Sequence, residues 1–423
     1  MLTLKMIREQ TDMVCSRLSI KNFDAAPLLQ TIISLDDQRR TLQTATDAAL
    51  AEQNAIAKQI GILMQQGRRE EAESAKLQTT AAKEKIKAWD AELQLITRQL
   101  HDALVQLPNL PSELVPAGKG AKENQIVKEG GVAPTWDNAL PHWDLAAKYN
   151  IIDFDLGVKI TGSGFPVYKG KGARLQRALI SYFLDFNTTA GYIEVQPPLM
   201  VNDASGFGTG QLPDKEGQMY HVGLDHFYLI PTAEVPVTNM YRDMIVESKE
   251  LPIKLTAYTP CFRREAGSYG KEVRGLNRLH QFDKVEIVQI CAPEDSYRAL
   301  DQMVAHVEKL VQSLGLPYRI LRLCGGDMSF ASALTYDFEV WSAAQKMWLE
   351  VSSVSNFESF QSNRLKLRYR DEKQKTQWLH TLNGSALALP RIVAALLENN
   401  QHTQGINIPN VLKPYTGFER IDS

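Results

Sequence analysis

Apolar residues recur every seven positions at Leu28, Leu35, Leu42, Ala49, Ile56 and Leu63. The interval returns at Ile86, Leu93, Leu100 and Leu107, with Trp89, Ile96 and Ala103 three positions after the first three. Such heptads are the seams of paired helices. No proline stands between Pro27 and Pro108, which favours long uninterrupted helices. Gly61 and the segment Gln65 to Arg69 break the pattern, so the spacing predicts a tight turn and an antiparallel hairpin. Each helix of about 35 residues would reach roughly 50 Å and project as an arm. Arg39, Thr46 and Gln53 occupy the intermediate seam positions between Ile32 and Ile60, so the first helix is predicted to pair less apolarly than the second.

Pro108, Pro111 and Pro116, with Gly118, Gly120, Gly130 and Gly131, mark a linker, and a second domain is predicted from about residue 120. Strand-like runs follow at Phe227 to Ile230, Leu255 to Tyr258, Val285 to Ile290 and Tyr318 to Leu323. Helical patterns fall near 173 to 190, 294 to 314 and 387 to 400. Several strands in succession imply an α+β domain on an antiparallel sheet rather than a βαβ series.

Composition narrows the class without changing this outline. The 423 residues are 44% hydrophobic and 23% charged, ordinary globular values. Forty-seven basic against forty-nine acidic side chains leave a net charge of −2, so a polyanion would have to bind a local patch. Arg39-Arg40, Arg68-Arg69 and Lys83, Lys85 and Lys87 are such clusters. They could grip phosphates without base specificity, or solvate the helices. Charge at Lys5 with no apolar run behind it argues against a secretory leader. The apolar stretch Ala386 to Leu397, broken by Pro390 and Arg391, is too short to span a bilayer. Cys15, Cys261, Cys291 and Cys324 form no C-x-x-C pair, which fits a reducing cytoplasm and excludes a Cys-rich zinc site. No phosphate-binding P-loop, dinucleotide fingerprint, zincin helix or nucleophile elbow is present.

The densest polar constellation runs from Cys261 to Glu286 and reads as strand, long loop, strand. On strands, Arg263 and Glu265 would share one face, as would Phe282 and Glu286, so charges of both signs converge over one sheet surface. That surface suits a zwitterion beside a polyphosphate. A hairpin with cross-strand salt bridges explains the same pattern.

Phe262-Arg263-Arg264-Glu265, followed by Arg278-x-x-x-Phe282, resembles motif 2 of the class II aminoacyl-tRNA synthetases. Gly191-Tyr192-x-x-Val195-x-x-Pro198-Leu199-Met200 is similar to their motif 1, and Asn383 to Arg391 to motif 3, with Pro390 where a glutamate often precedes the arginine. Within that class, Thr232-Ala233-Glu234, the stretch His280 to Glu286, Glu350-Val351-Ser352-Ser353 and Thr381 to Ser385 resemble the bacterial seryl-tRNA synthetase family over essentially the full length.

The resemblance implies an α+β protein: residues 1–112 as a tRNA-binding domain carrying the hairpin arm (about 28–107), and 113–423 as a class II catalytic domain. It implies a cytoplasmic homodimer that joins L-serine to tRNA(Ser) through a seryl-adenylate, using ATP and Mg2+ and no zinc, and it leaves tRNA(Sec) open as a second substrate. Arg263, Glu265 and Arg391 are the implied catalytic residues. Arg263 would meet the α-phosphate and serine carboxylate, and Arg391 the γ-phosphate end. Phe282 would stack on adenine and Glu265 accept from its amino group. Arg264, Val351 and Ser352 complete the implied ATP contacts, and Glu350 with Ser353 would hold the metal. Thr232, Ala233, Glu234, Arg263, Glu286, Asn383 and Ser385 would surround serine, with Glu286 accepting its hydroxyl proton. From the residues alone, Asn383 and Ser385 fit a capped turn at a helix start equally well. His280 is expected to be structural, because an ionised substrate carboxylate needs no general base. Two other readings compete: a class II paralogue loading a small amino acid onto a carrier protein, and a non-catalytic tRNA-binding relative.

Overall fold

The structure is a computed structural model describing residues 1–136, 138–266 and 274–422. Residues 267–273, in the predicted long loop between the motif 2 strands, lie outside the described residues. The chain forms two compact units, Met1–Ser19 with Phe23–Pro108, and Ile20–Asn22 with Asn109–Ser423.

In the first unit, α1 (Ala26–Gln65) and α2 (Arg69–Leu104) pair as a helical hairpin. At 1.5 Å per residue the 40 residues of α1 extend about 60 Å. Helix α1 runs straight through Gly61, and the turn is confined to residues 66–68. The buried face of α2 runs Ala72, Ala75, Ile86, Ile96, Leu100 and Ala103, so its seam begins two heptads before the apolar signal in the sequence. The inner face of α1 is more polar, as its sequence implied: Thr46 is buried, and so is Asp36, which is held by Arg8 at 3.0 Å and Arg39 at 2.7 Å.

The second unit is built on an eight-stranded sheet. Its strands are β1 (Gln125–Gly130), β2 (Ile193–Glu194), β3 (Ile253–Phe262), β4 (Gln281–Cys291), β5 (Tyr318–Arg322), β6 (Leu334–Ser342), β7 (Met347–Asn356) and β8 (His380–Ala388). Their spatial order is β1-β5-β6-β7-β8-β4-β3-β2, every pairing antiparallel except the short edge strand β2, which runs parallel to β3. Helices α3 (Gly170–Thr189), α4 (Ser296–Ser313) and α5 (Leu389–Asn399) bury Leu179, Phe183, Met303, Leu310, Ile392 and Leu396 against Val285, Ile287, Phe338, Val351 and Leu382 of the sheet. Alternation along each strand then leaves the opposite side chains for the other face.

Candidate active site

On that other face lies a cleft of about 650 Å³. Strand β4 supplies its floor. Val285 and Ile287 point into the helix-covered core, so Phe282, Lys284 and Glu286 point into the cleft. Two residues further, Val288 and Ile290 of the same face join a second apolar cluster with Ala233, Val237, Leu255 and Ala257, which closes the polar floor beyond Glu286. Glu286 is 1% exposed. Lys284 Nζ lies 2.8 Å from its Oε2, and Thr232 Oγ1 donates to the same oxygen at 3.3 Å. Its Oε1 is buried with no hydrogen-bond partner among the described residues, which is costly unless something binds there.

A second buried carboxylate, Glu234, begins the short helix Glu234–Asn239. Gln361 Nε2 donates to it at 2.6 Å. Gln361 is itself fixed by Thr381 Oγ1, which donates to its Oε1 at 2.6 Å, and by its own bond to Thr209 O at 3.1 Å. Burial, and then repulsion from Glu286, push the Glu234 carboxyl up to about 7. Asn383 and Ser385 wall the cleft from the middle of strand β8, not from a capped helix start.

Arg263 and Glu265 reach the cleft by another route than strand alternation, because β3 ends at Phe262. Arg263 N still donates to His280 O at 2.9 Å, and its guanidinium lies 5.3 Å from the centre of the Phe282 ring. Glu265 turns into the left-handed region at φ 49° and pairs with Arg278 at 2.6 Å. Arg264 does not line the cleft; its backbone N–H donates to Gln218 O at 2.8 Å. Ala233 is fully buried in the second apolar cluster and also stands off the lining. His280 packs on Phe165 and faces Tyr220 Oη at 3.0 Å and Arg263 O at 3.1 Å, a structural setting.

Glu350 and Ser353 are an odd number of residues apart, and a regular strand would send them to opposite faces. A register shift between β6 and β7 changes this: Glu339 pairs with Glu350 but Phe338 pairs with Ser352, leaving one extra residue in β7. Val351 and Val354 therefore both enter the core while Glu350 and Ser353 both border the cleft. Ser352 Oγ donates to Ser385 O at 2.6 Å, tying β7 to β8. Asp337 sits across from Ser353, its carboxyl raised well above the usual range by burial and then by Glu350, with Oδ1 buried and unpartnered among the described residues. Arg391, at the start of α5, donates to Glu350 O at 2.8 Å and to Asn277 O at 2.9 Å, and lies 3.7 Å from the Glu350 carboxylate.

Four residues in or beside the cleft escaped the sequence reading, Lys284 and Asn277 in its lining and Gln361 and Asp337 beside it. Lys284 was accessible through the alternation that gave Phe282 and Glu286. Gln361, Asp337 and Asn277 carry no local signal, since each acts through a partner distant in sequence.

An antiparallel sheet with this cleft defines a class II aminoacyl-tRNA synthetase core, and residues 220–400 match the family model of the tRNA synthetase class II core domain (G, H, P, S and T). Residues 1–111 match the seryl-tRNA synthetase N-terminal domain. A serine–tRNA ligase of Salinibacter ruber is 50% identical over 424 residues, covering 100% of this chain and 99% of its own length. One from Akkermansia muciniphila is 46% identical over 423 residues, with the same coverage. The crystal structure of seryl-tRNA synthetase from Pyrococcus horikoshii complexed with ATP superposes with a TM-score of 0.93 at 32% identity, covering 100% of this chain and 99% of that one. The chain belongs to the seryl-tRNA synthetase family. It is an enzyme, an ATP-dependent ligase that charges tRNA with serine.

Proposed function

We propose that the cleft joins L-serine to tRNA(Ser) in two steps and that the residues above divide the work. A serine carboxylate oxygen attacks the α-phosphorus of ATP, the bond to the bridging oxygen breaks, and pyrophosphate leaves. The 3′-terminal ribose hydroxyl of tRNA then attacks the adenylate carbonyl and AMP departs. No protein nucleophile takes part. The site aligns reactants and offsets charge on the transferring phosphoryl group. Arg263 meets the α-phosphate and carboxylate, Arg391 the γ-phosphate, Phe282 stacks on adenine, and Glu265 accepts from its amino group.

The observation that carries this reading is the unpartnered Oε1 of Glu286 on the cleft floor. A serine hydroxyl donates to it, while Thr232 and Glu234 hold the ammonium. Alanine would leave that oxygen unpaired, the kind of loss that can discriminate by roughly 10⁴-fold. Asn383 and Ser385 block the extra methyl of threonine.

Glu350, Ser353 and the unpartnered oxygen of Asp337 are hard oxygen donors, a set that suits Mg2+ with its remaining ligands from phosphates and water. The ion would supply charge neutralisation for the pyrophosphate leaving group. We also read residues 1–112 as the tRNA-binding domain and 113–423 as the catalytic domain. The exposed Arg40, Lys83, Lys85 and Lys87 on the hairpin support the first assignment. Exposed Ile193 and Met200 in the motif 1 region support a homodimer. No helix among the described residues is long and apolar enough to cross a membrane.

Pyrophosphate exchange into ATP tests the assignment: it should require L-serine and vanish in Glu286→Ala, and equal exchange with L-alanine would overturn it. Removal of the hairpin should abolish tRNA charging while exchange survives.

A further inference from the structure

Behind the cleft wall, four chain segments meet in a polar cluster that the reaction chemistry does not use. Its centre is a pair of fully buried residues, His142 and Glu398 of α5, with Nδ1 and Oε1 2.8 Å apart. His142 Nε2 accepts the backbone N–H of Leu276 at 2.8 Å, so the ring proton resides on Nδ1 and points at Glu398. Glu398 is saturated: His142 N donates at 3.0 Å, Ala344 N at 3.2 Å, Gln345 Nε2 at 3.1 Å, and Ser342 Oγ completes the set. Burial alone would raise this carboxyl, but the bonds from His142 and Ser342 hold it below the usual value.

From this centre the contacts run outward to the cleft. Gln345, in the turn between β6 and β7, accepts from Asn277 Nδ2 at 2.7 Å, and the carbonyl of Asn277 accepts from Arg391 Nε at 2.9 Å. Gly275 allows the close approach: at φ 67° a Cβ there would stand 2.2 Å from His142 Nε2. The backbone of Leu276 and Asn277 is thus fixed by His142 of the helix His142–Lys148 and by Arg391 of α5, and the Asn277 side chain by the β6–β7 turn; both residues line the cleft. Arg391 gains a fixed acceptor in place of a flexible one.

We propose that His142, Glu398 and Gln345 are positioning residues for ATP, setting the orientation of the Arg391 guanidinium through the backbone of Leu276–Asn277. The proposal rests on the reading that Arg391 meets the ATP phosphates. It predicts an effect confined to one substrate, because among the described residues Thr232, Glu234 and Glu286 share no hydrogen bond with this cluster.

The test is ATP–pyrophosphate exchange with Gln345→Ala, Arg391→Ala and the double variant, recording KM for ATP and for serine separately, with melting temperature alongside. Gln345→Ala should raise the ATP KM about tenfold and leave the serine KM within twofold. In the Arg391→Ala background it should add less than twofold, the signature of coupled residues. An ATP KM unchanged by Gln345→Ala, or ATP and serine KM rising together, overturns the proposal. If Arg391→Ala itself leaves the ATP KM unchanged, the underlying assignment of Arg391 fails instead. Fully buried His142→Gln is the harsher variant. Should it not fold, Gln345→Ala decides alone, since Gln345 is partly exposed in a turn.

Discussion

Replacing Glu234 by Gln should make the protein more stable and less able to bind serine, with a pH dependence that identifies the cause. Glu234 is 6% exposed, its carboxyl feels the Glu286 charge, and burial and that charge raise it from an ordinary 4.5 to about 7. A group whose folded value is raised binds more protons in the folded than in the unfolded state between those limits, so stability falls as pH rises from 4.5 to 7. The cost is absent below 4.5 and fully present above 7. At 1.36 kcal/mol per unit it amounts to about 3 kcal/mol. Gln keeps an acceptor for Gln361 Nε2 and carries no charge, so the variant escapes that cost. For a catalytic unit of roughly 300 residues, with about 2.1 cal/mol/K of unfolding entropy per residue, the melting temperature should rise about 5 °C at pH 8 and hardly at all at pH 5. Calorimetry across that range is the assay. A stabilisation of equal size at both pH values would refute the reasoning, as would its absence at pH 8. Serine at saturating concentration should narrow the pH 8 gap, because its ammonium stabilises the charged carboxylate only in the unsubstituted protein.

Phe282→Ala removes the ring beneath Arg263, and should raise the ATP KM roughly tenfold in pyrophosphate exchange while the serine KM holds. Lys284→Met leaves the Glu286 charge uncompensated beside Glu234, which should cost about 3 kcal/mol in urea unfolding; adding Glu286→Gln should recover most of it. Glu350→Gln should raise the Mg2+ concentration for half-maximal exchange by about tenfold, measured by metal titration at fixed ATP. The serine KM itself should fall as pH rises from 6 to 8, following deprotonation of Glu234.

How far each element could be read from residue order depends on what carries its signal. The heptads of leucine and isoleucine announce the hairpin, but Ala72 and Ala75 extend its seam with side chains too small to register as hydrophobic periodicity. Strands β3, β4 and β5 stand out as apolar or alternating runs. Strands β7 and β8, at the centre of the sheet, place serines and an asparagine on the cleft face and break the alternation that betrays a strand. Residue types at the site were legible where motif spacing concentrates them, as at Arg263, Phe282 and Glu286. Their geometry was not: Arg263 and Glu265 lie past the strand end, and Glu265 needs a left-handed backbone that no alternation rule supplies. The partners Gln361, Asp337 and Gln345 are single polar residues whose meaning arises only when the sheet brings them beside Glu234, Ser353 and Asn277.

The extra residue in β7 also makes the site sensitive to register. Upstream of it the strand reads core at Leu349 and cleft at Glu350; downstream it reads cleft at Ser353 and core at Val354. Every substitution discussed above perturbs one side chain. Loss of one residue between Glu350 and Ser353 would restore regular alternation with both still on the cleft side, whereas regular pairing with every residue kept would invert the two halves relative to each other. Val354 would then be carried into the cleft and Ser353 into the hydrocarbon core. In this part of the chain the register of one bulge, rather than the chemistry of any side chain, separates a polar cleft edge from an interior strand.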